Sequence, residues 1–126
     1  MKLYLLTDYR GQFYSSIRAH GASMDLTRLA DKFKDLGISL VQQSIAGIDF
    51  KTARFKGSYV LYQSSEDPGL HYKDFIEDIL LGLHLQGAKL IPGFHLFRAH
   101  HNKVFMEILR DLASMPEMKT IRSRYF

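Results

Sequence analysis

Between Asp8 and Ser16 the chain reads Asp-Tyr-Arg-Gly-Gln-Phe-Tyr-Ser-Ser, which sets the guanidinium of Arg10 among the hydrogen-bonding side chains of Gln12, Tyr14 and Ser15. A guanidinium presents a planar fork of donors that matches a carboxylate or phosphate, so this segment has the composition of a seat for a polar or anionic small molecule. A single glycine, Gly11, does not make a dinucleotide fingerprint, because close backbone approach to a pyrophosphate takes several spaced glycines. An ordinary surface loop would read the same way.

A second group is Gln63-Ser64-Ser65-Glu66-Asp67, an amide, two hydroxyls and two carboxylates that could meet the edge of a substrate or a metal. Ser65, Glu66 and Asp67 are equally suited to capping the helix that follows. The third group, Arg98 to Lys103, contains the adjacent pair His100-His101. Adjacent positions diverge around a helix, whereas zinc favours ligands three or four residues apart, so no metal site is expected. His20, His71, His84 and His95 are dispersed and form no triad with Ser and Asp.

These groups fall where strands should end. Lys2 to Thr7 is almost continuously apolar, the pattern of a strand covered on both faces. Leu26, Leu29, Ala30, Phe33 and Leu36 recur at helical spacing, with Ser23 or Asp25 to cap the start and Gly37 to close the end. A second strand is expected from Ile38 to Ile48, and a third, central one from Ser58 to Gln63. A helix then carries Tyr72, Phe75, Ile76, Ile79, Leu80 and Leu83 towards Gly87. Lys89-Leu90-Ile91 makes a short fourth strand before Pro92 and Gly93, and Val104, Phe105, Ile108, Leu109 and Leu112 mark a last helix. Strands alternating with helices predict α/β architecture built from right-handed βαβ units, a Rossmann-like, three-layer domain with a small, mostly parallel sheet of about four strands. In such a sheet ligands gather at the carboxyl ends of the strands, which singles out the loops after Thr7, Gln63 and Ile91.

Bulk properties narrow the function classes. At 126 residues the chain can bury one core, and without cysteine it has no disulfide, thiolate nucleophile or sulfur metal site. No apolar run approaches the roughly 20 residues of a membrane span, and the first residues lack a signal-peptide core and cleavage site. A cytoplasmic protein without a membrane partner is expected. A net charge of +4 and a pI near 9.4 favour anionic partners in general. The aromatics Tyr4, Tyr9, Phe13 and Tyr14 form no stacking motif, so nucleic acid is not expected as a partner.

One ordered string carries a resemblance. Val60-Leu61-Tyr62-Gln63-Ser64-Ser65-Glu66-Asp67, a helix, Lys89-Leu90-Ile91-Pro92, and then His101-Asn102-Lys103 opening a helix to Leu112 resemble the N-terminal, pre-ATP-grasp domain of the ATP-grasp superfamily of ligases. In that family an Asn/Asp-Lys pair starts the helix leading into the ATP-grasp lobe, and Asn102-Lys103 looks like that pair. The resemblance implies that Lys103 touches nucleotide phosphates. The strand-end loops themselves make Arg10, Gln12, Tyr14, Ser15, Gln63, Ser64 and Ser65 the possible substrate contacts, and the resemblance implies that residues 1–117 are the domain, with 118–126 starting a following lobe or tail. ATP and magnesium would belong to the full-length carboxylate-amine type ligase, whose other nucleotide and magnesium ligands lie in later domains. By the same resemblance this stretch holds no catalytic or metal-ligating residue, binds no cofactor alone and is inactive by itself. Apolar surface near Phe105, Met106 and the tail predicts a homodimer. The other reading is a self-contained α/β module that binds a small anion or a protein without catalysis.

Overall fold

The structure, a computed structural model, describes residues 1–13, 24–63 and 72–112. β1 (Lys2–Thr7) pairs in parallel with β2 (Ser39–Ser44) on one side and β3 (Tyr59–Leu61) on the other, and β4 (Lys89–Ile91) pairs in parallel with β3. The order is therefore β2-β1-β3-β4, an α/β arrangement with a four-stranded parallel sheet, consistent with a Rossmann-like fold. Leu5 and Leu6 point to opposite faces of β1 and both are buried, which explains the uninterrupted apolar run. Val60 at the centre of β3 is buried as well.

α1 (Leu26–Asp35) packs against β2 and α2 (Tyr72–Leu85) against β4. Asp25 caps α1 by accepting the Arg28 N–H at 3.0 Å; Ser23, the other expected cap, lies outside the described residues. The helix closes through Gly37 N–H to the Lys34 carbonyl and Ile38 N–H to the Phe33 carbonyl, both 2.9 Å. That closure requires the left-handed φ of +73° that Gly37 adopts. The apolar face of α1 is only half-buried, and Leu36, past the last turn, is 73% exposed. In α2 the buried residues are Ile76, Leu80 and Leu83, while Phe75, expected on the same side, is exposed.

The second strand is shorter than its sequence suggests. It ends at Ser44, whose hydroxyl accepts the Ala46 N–H and turns residues Ile45–Gly47 into a 3-10 helix. The third strand likewise pairs only over Tyr59–Leu61. The connection between them packs on α2: the Phe50 ring lies over Gly82, and the Gln86 amide meets both Phe55 N–H and Ala53 C=O at 3.4 Å. Phe55, buried, meets Tyr4 edge-to-face at 5.0 Å.

The chain divides into two compact units, Met1–Ile91 and Pro92–Phe126. The second contains α3 (Phe94–His101) and α4 (Lys103–Leu112). The expected boundary after residue 117 lies outside the described residues. α3 was not anticipated from sequence: its buried Phe94 and Phe97, three apart, follow Pro92 and Gly93 too closely to give a periodic run. On α4, Val104, Ile108 and Leu112 are exposed at successive turns, whereas Phe105 and Met106, the expected apolar surface, are half-buried. Among the described residues no helix is long and apolar enough to cross a membrane.

Candidate functional site

The chain leaves β1 for β2 on one side and, on returning, builds β3 and β4 on the other. The order of strands thus reverses between β1 and β3, and the crevice outside their carboxyl ends is where parallel α/β sheets bind ligands. Thr7 and Asp8 close β1 there, and Tyr62 and Gln63 close β3.

Asp8 shapes the β1 loop. Its carboxylate Oδ1 accepts the backbone N–H groups of Arg10 and Gln12, each at 2.8 Å. Asp8 N–H donates to the Gln12 carbonyl at 2.9 Å, and Gly11 N–H to the Asp8 carbonyl at 3.1 Å. Gly11 reaches this turn at a φ of +76°, where a β-carbon would be strained. The Ser44 hydroxyl, from the end of β2, donates to the Asp8 carbonyl at 3.1 Å. Asp8 and Thr7 are buried as a result. Beyond the loop, Met24 N–H donates to the Phe13 carbonyl at 2.7 Å, so the backbone on either side of residues 14–23 is held together at its base.

This arrangement sets the chemistry the loop can do. The N–H groups of Arg10 and Gln12 already serve the Asp8 carboxylate, so a bound anion would have to be met by side chains. The Arg10 guanidinium lies 5.0 Å from the centre of the Tyr9 ring, and both residues are exposed. Gln12 and Gln63 are each half-buried on neighbouring strand ends. Of the residues expected on the substrate side, the structure thus places Arg10, Gln12 and Gln63 at one end of the sheet. Tyr14, Ser15, Ser64 and Ser65 lie outside the described residues.

Tyr62, buried at 3% exposure, carries a phenol whose pKa is pushed far above its usual range by desolvation. It stays neutral at any ordinary pH and cannot act as a base. Among the described residues no three His, Asp or Glu side chains converge as metal ligands.

Lys103 is in the second unit. Asn102 joins the two helices there: its N–H donates to the Arg98 carbonyl at the end of α3, and its side-chain Oδ1 accepts the Phe105 N–H at 2.9 Å at the start of α4. Asn102 is therefore a cap for both helices, and Lys103 follows as the exposed first residue of α4. Nearby, the Arg98 guanidinium lies 5.2 Å from the Phe105 ring centre, with His95 stacked on that ring at 6.2 Å.

Comparison with protein-family models, curated proteins and solved structures finds no match to this chain.

Sequence reasoning did not single out Asp8 or Ser44. The signal for Asp8 is its place directly after a strand with glycine three residues on, the spacing of a turn closed by an aspartate side chain. Ser44 was hidden because the second strand was read as running past it.

Proposed function

We propose that the chain is the N-terminal, substrate- and nucleotide-contacting domain of an ATP-dependent, ATP-grasp-type ligase acting in the cytoplasm, and that it is inert alone. The observation that carries this reading is Asn102-Lys103 at the start of α4, following a parallel sheet whose strand order reverses between β1 and β3. Right-handed crossovers from β1 to β2 and from β3 to β4 run in opposite directions along the sheet. That puts α1 and α2 on opposite faces, the three-layer arrangement of such a domain.

Lys103 fits a phosphate. It is an exposed cation at the positive end of a helix whose Phe105 N–H already serves Asn102, so a phosphate would be met there by the Lys103 ammonium. The nucleotide supplies the phosphoryl group that activates a carboxylate in such ligases; this chain's part is to hold the phosphates by Lys103 and the substrate through Arg10, Gln12 and Gln63. No residue described here supplies a magnesium cage, and that ion would be held by later domains. The exposed stripe Val104, Ile108 and Leu112 on the same helix is the kind of surface a following lobe covers.

The test is to read the coding frame beyond Phe126. A continuation into a lysine-bearing β lobe with a late Asp/Glu and Asn cluster supports the ligase; a stop codon directly after Phe126 overturns it. In the full-length protein, Lys103→Ala should raise the KM for ATP about tenfold or more, the loss of one charge-assisted phosphate contact.

A further inference from the structure

All four strands run the same way, so the turns that lead into them gather at one end of the sheet, opposite the crevice. Backbone bonds hold these turns side by side. Ser39 N–H, entering β2, donates to the Met1 carbonyl ahead of β1 at 2.8 Å, and Gly57 N–H, ahead of β3, donates to the Gly87 carbonyl, ahead of β4, at 2.9 Å.

Charge is segregated towards this end. The segments that enter the strands, residues 1–2, 34–38, 54–58 and 84–89, hold Lys2, Lys34, Arg54, Lys56 and Lys89 against one acid, Asp35. The rest of residues 1–91 holds six Lys and Arg against nine Asp and Glu, the opposite balance. All five cations are exposed, and Asp35 lies 3.9 Å from a sixth, Lys32. The negative end of a helix dipole accounts for Lys34 in the last turn of α1. It does not account for the other four, which stand on strands or on the chain approaching them.

Apolar side chains stand among these cations. Leu36 is 73% exposed, Leu85 77% and Met1 66%, the three most exposed large hydrophobic residues described in the first unit. Each is at the strand-entry end: Met1 adjoins Lys2, Leu36 follows Lys34 by two residues, and Leu85 precedes Gly87, where a β-carbon would lie 3.6 Å from Lys56 Cγ. Single exposed leucines are ordinary, but three at one end, set among lysines, need a partner that takes both kinds of side chain. A nucleic acid backbone would meet the cations and leave the leucines in water. An anionic bilayer surface takes both, because apolar side chains enter the boundary below the headgroups while lysines stay at the level of the phosphates.

We propose that the strand-entry end of the sheet docks on an anionic lipid surface, peripherally and reversibly. Met1, Leu36 and Leu85 enter the interface, and Lys34, Lys56 and Lys89 meet the headgroups. The Lys89 ammonium lies 4.8 Å from the Tyr59 ring centre, a contact that leaves its charge in place. Because the crevice is at the other end of the strands, a docked sheet keeps it open to water. This inference does not depend on the ligase reading.

Flotation of the whole chain with vesicles tests it. The chain should float with vesicles of phosphatidylcholine mixed with phosphatidylserine, should not float with phosphatidylcholine alone, and should be released as salt is raised. Lys56→Glu with Lys89→Glu should weaken binding about tenfold or more. Leu36→Ser with Leu85→Ser, which changes no charge, should weaken it about tenfold as well. All four side chains are exposed, so circular dichroism should be unchanged; should a pair fail to fold, its single substitutions should each act in the same direction to a smaller extent. Ile108→Ser, on the exposed stripe of α4, should leave binding as it was. No flotation with the mixed vesicles overturns the proposal, and so does binding lost through Ile108→Ser but not through the leucine pair. Binding that ignores the leucine pair and is competed by duplex DNA describes a nucleic-acid surface and overturns it too.

Discussion

Arg110 Nη1 lies 2.7 Å from Glu107 Oε1, one turn apart on α4, and the two side chains are only 11% and 3% exposed. At the surface such a pair would contribute little, but here each charge has lost most of its water.

The pair therefore predicts an asymmetry between single and double changes. Arg110→Met leaves the Glu107 carboxylate buried without its cation and should cost about 3 kcal/mol. Glu107→Leu with Arg110→Met should recover most of that loss. Urea unfolding of the two variants, followed by the helical signal of the second unit, measures the difference; equal losses would show that packing dominates.

Tyr62 predicts instability in alkali. Its folded pKa is raised by burial, while in the unfolded chain the phenol titrates near its usual value of about 10. Below that pH both states are neutral. Above it the unfolded state loses a proton that the folded state retains, so stability falls as pH rises, by up to about 1.4 kcal/mol per pH unit. Tyr62→Phe should flatten this slope in unfolding experiments above pH 10; an unchanged slope would assign it to other groups.

The contact at Gly82 predicts a steric cost. A β-carbon built there sits 2.6 Å from Phe50 Cζ and 2.9 Å from Cε1. Gly82→Ala should destabilise the chain by about 1–3 kcal/mol, although alanine is the better helix former. In a Phe50→Ala background the same change should become stabilising by roughly 0.5–1 kcal/mol. A double-mutant cycle reads the coupling, and additive effects would refute it.

Asp8 predicts a local effect at the sheet end. Asp8→Ala strips the acceptor from the Arg10 and Gln12 N–H groups and should cost about 1–3 kcal/mol. Those two amides should also lose hydrogen-exchange protection before the strands do. Asp8→Asn retains one acceptor oxygen and should preserve most of the protection.

The sequence revealed those parts of the fold whose signal is local. The apolar run Lys2 to Thr7, the spacing from Leu26 to Leu36 and the glycines at 37 and 87 located three elements and their ends, because burial on both faces, helical periodicity and left-handed turns act within a few residues. Ser44 and Asp8 were harder to see. The Asp8 turn is local but was passed over in favour of its polar neighbours, whereas Ser44 acts through a hydrogen bond to the Asp8 carbonyl 36 positions away in the chain, which no window along the sequence contains. α3 was missed because only Phe94 and Phe97 are buried in it, too few to define a face. Asn102 was legible as a helix start, but not as the end of the helix before it. The strand order β2-β1-β3-β4, which locates the crevice, is also non-local and emerged only from the structure.

The clasp from Met24 N–H to the Phe13 carbonyl has a consequence for how this protein can change over time. Because the clasp ties the base independently of what lies between, residues 14–23 can be exchanged, lengthened or grafted without disturbing β1 or α1. Doubling the length of a flexible connection whose ends are tied costs only about 0.6 kcal/mol in closure entropy. A scaffold with this property can acquire new specificities by rewriting the stretch of sequence between Phe13 and Met24, while the sheet stays the same.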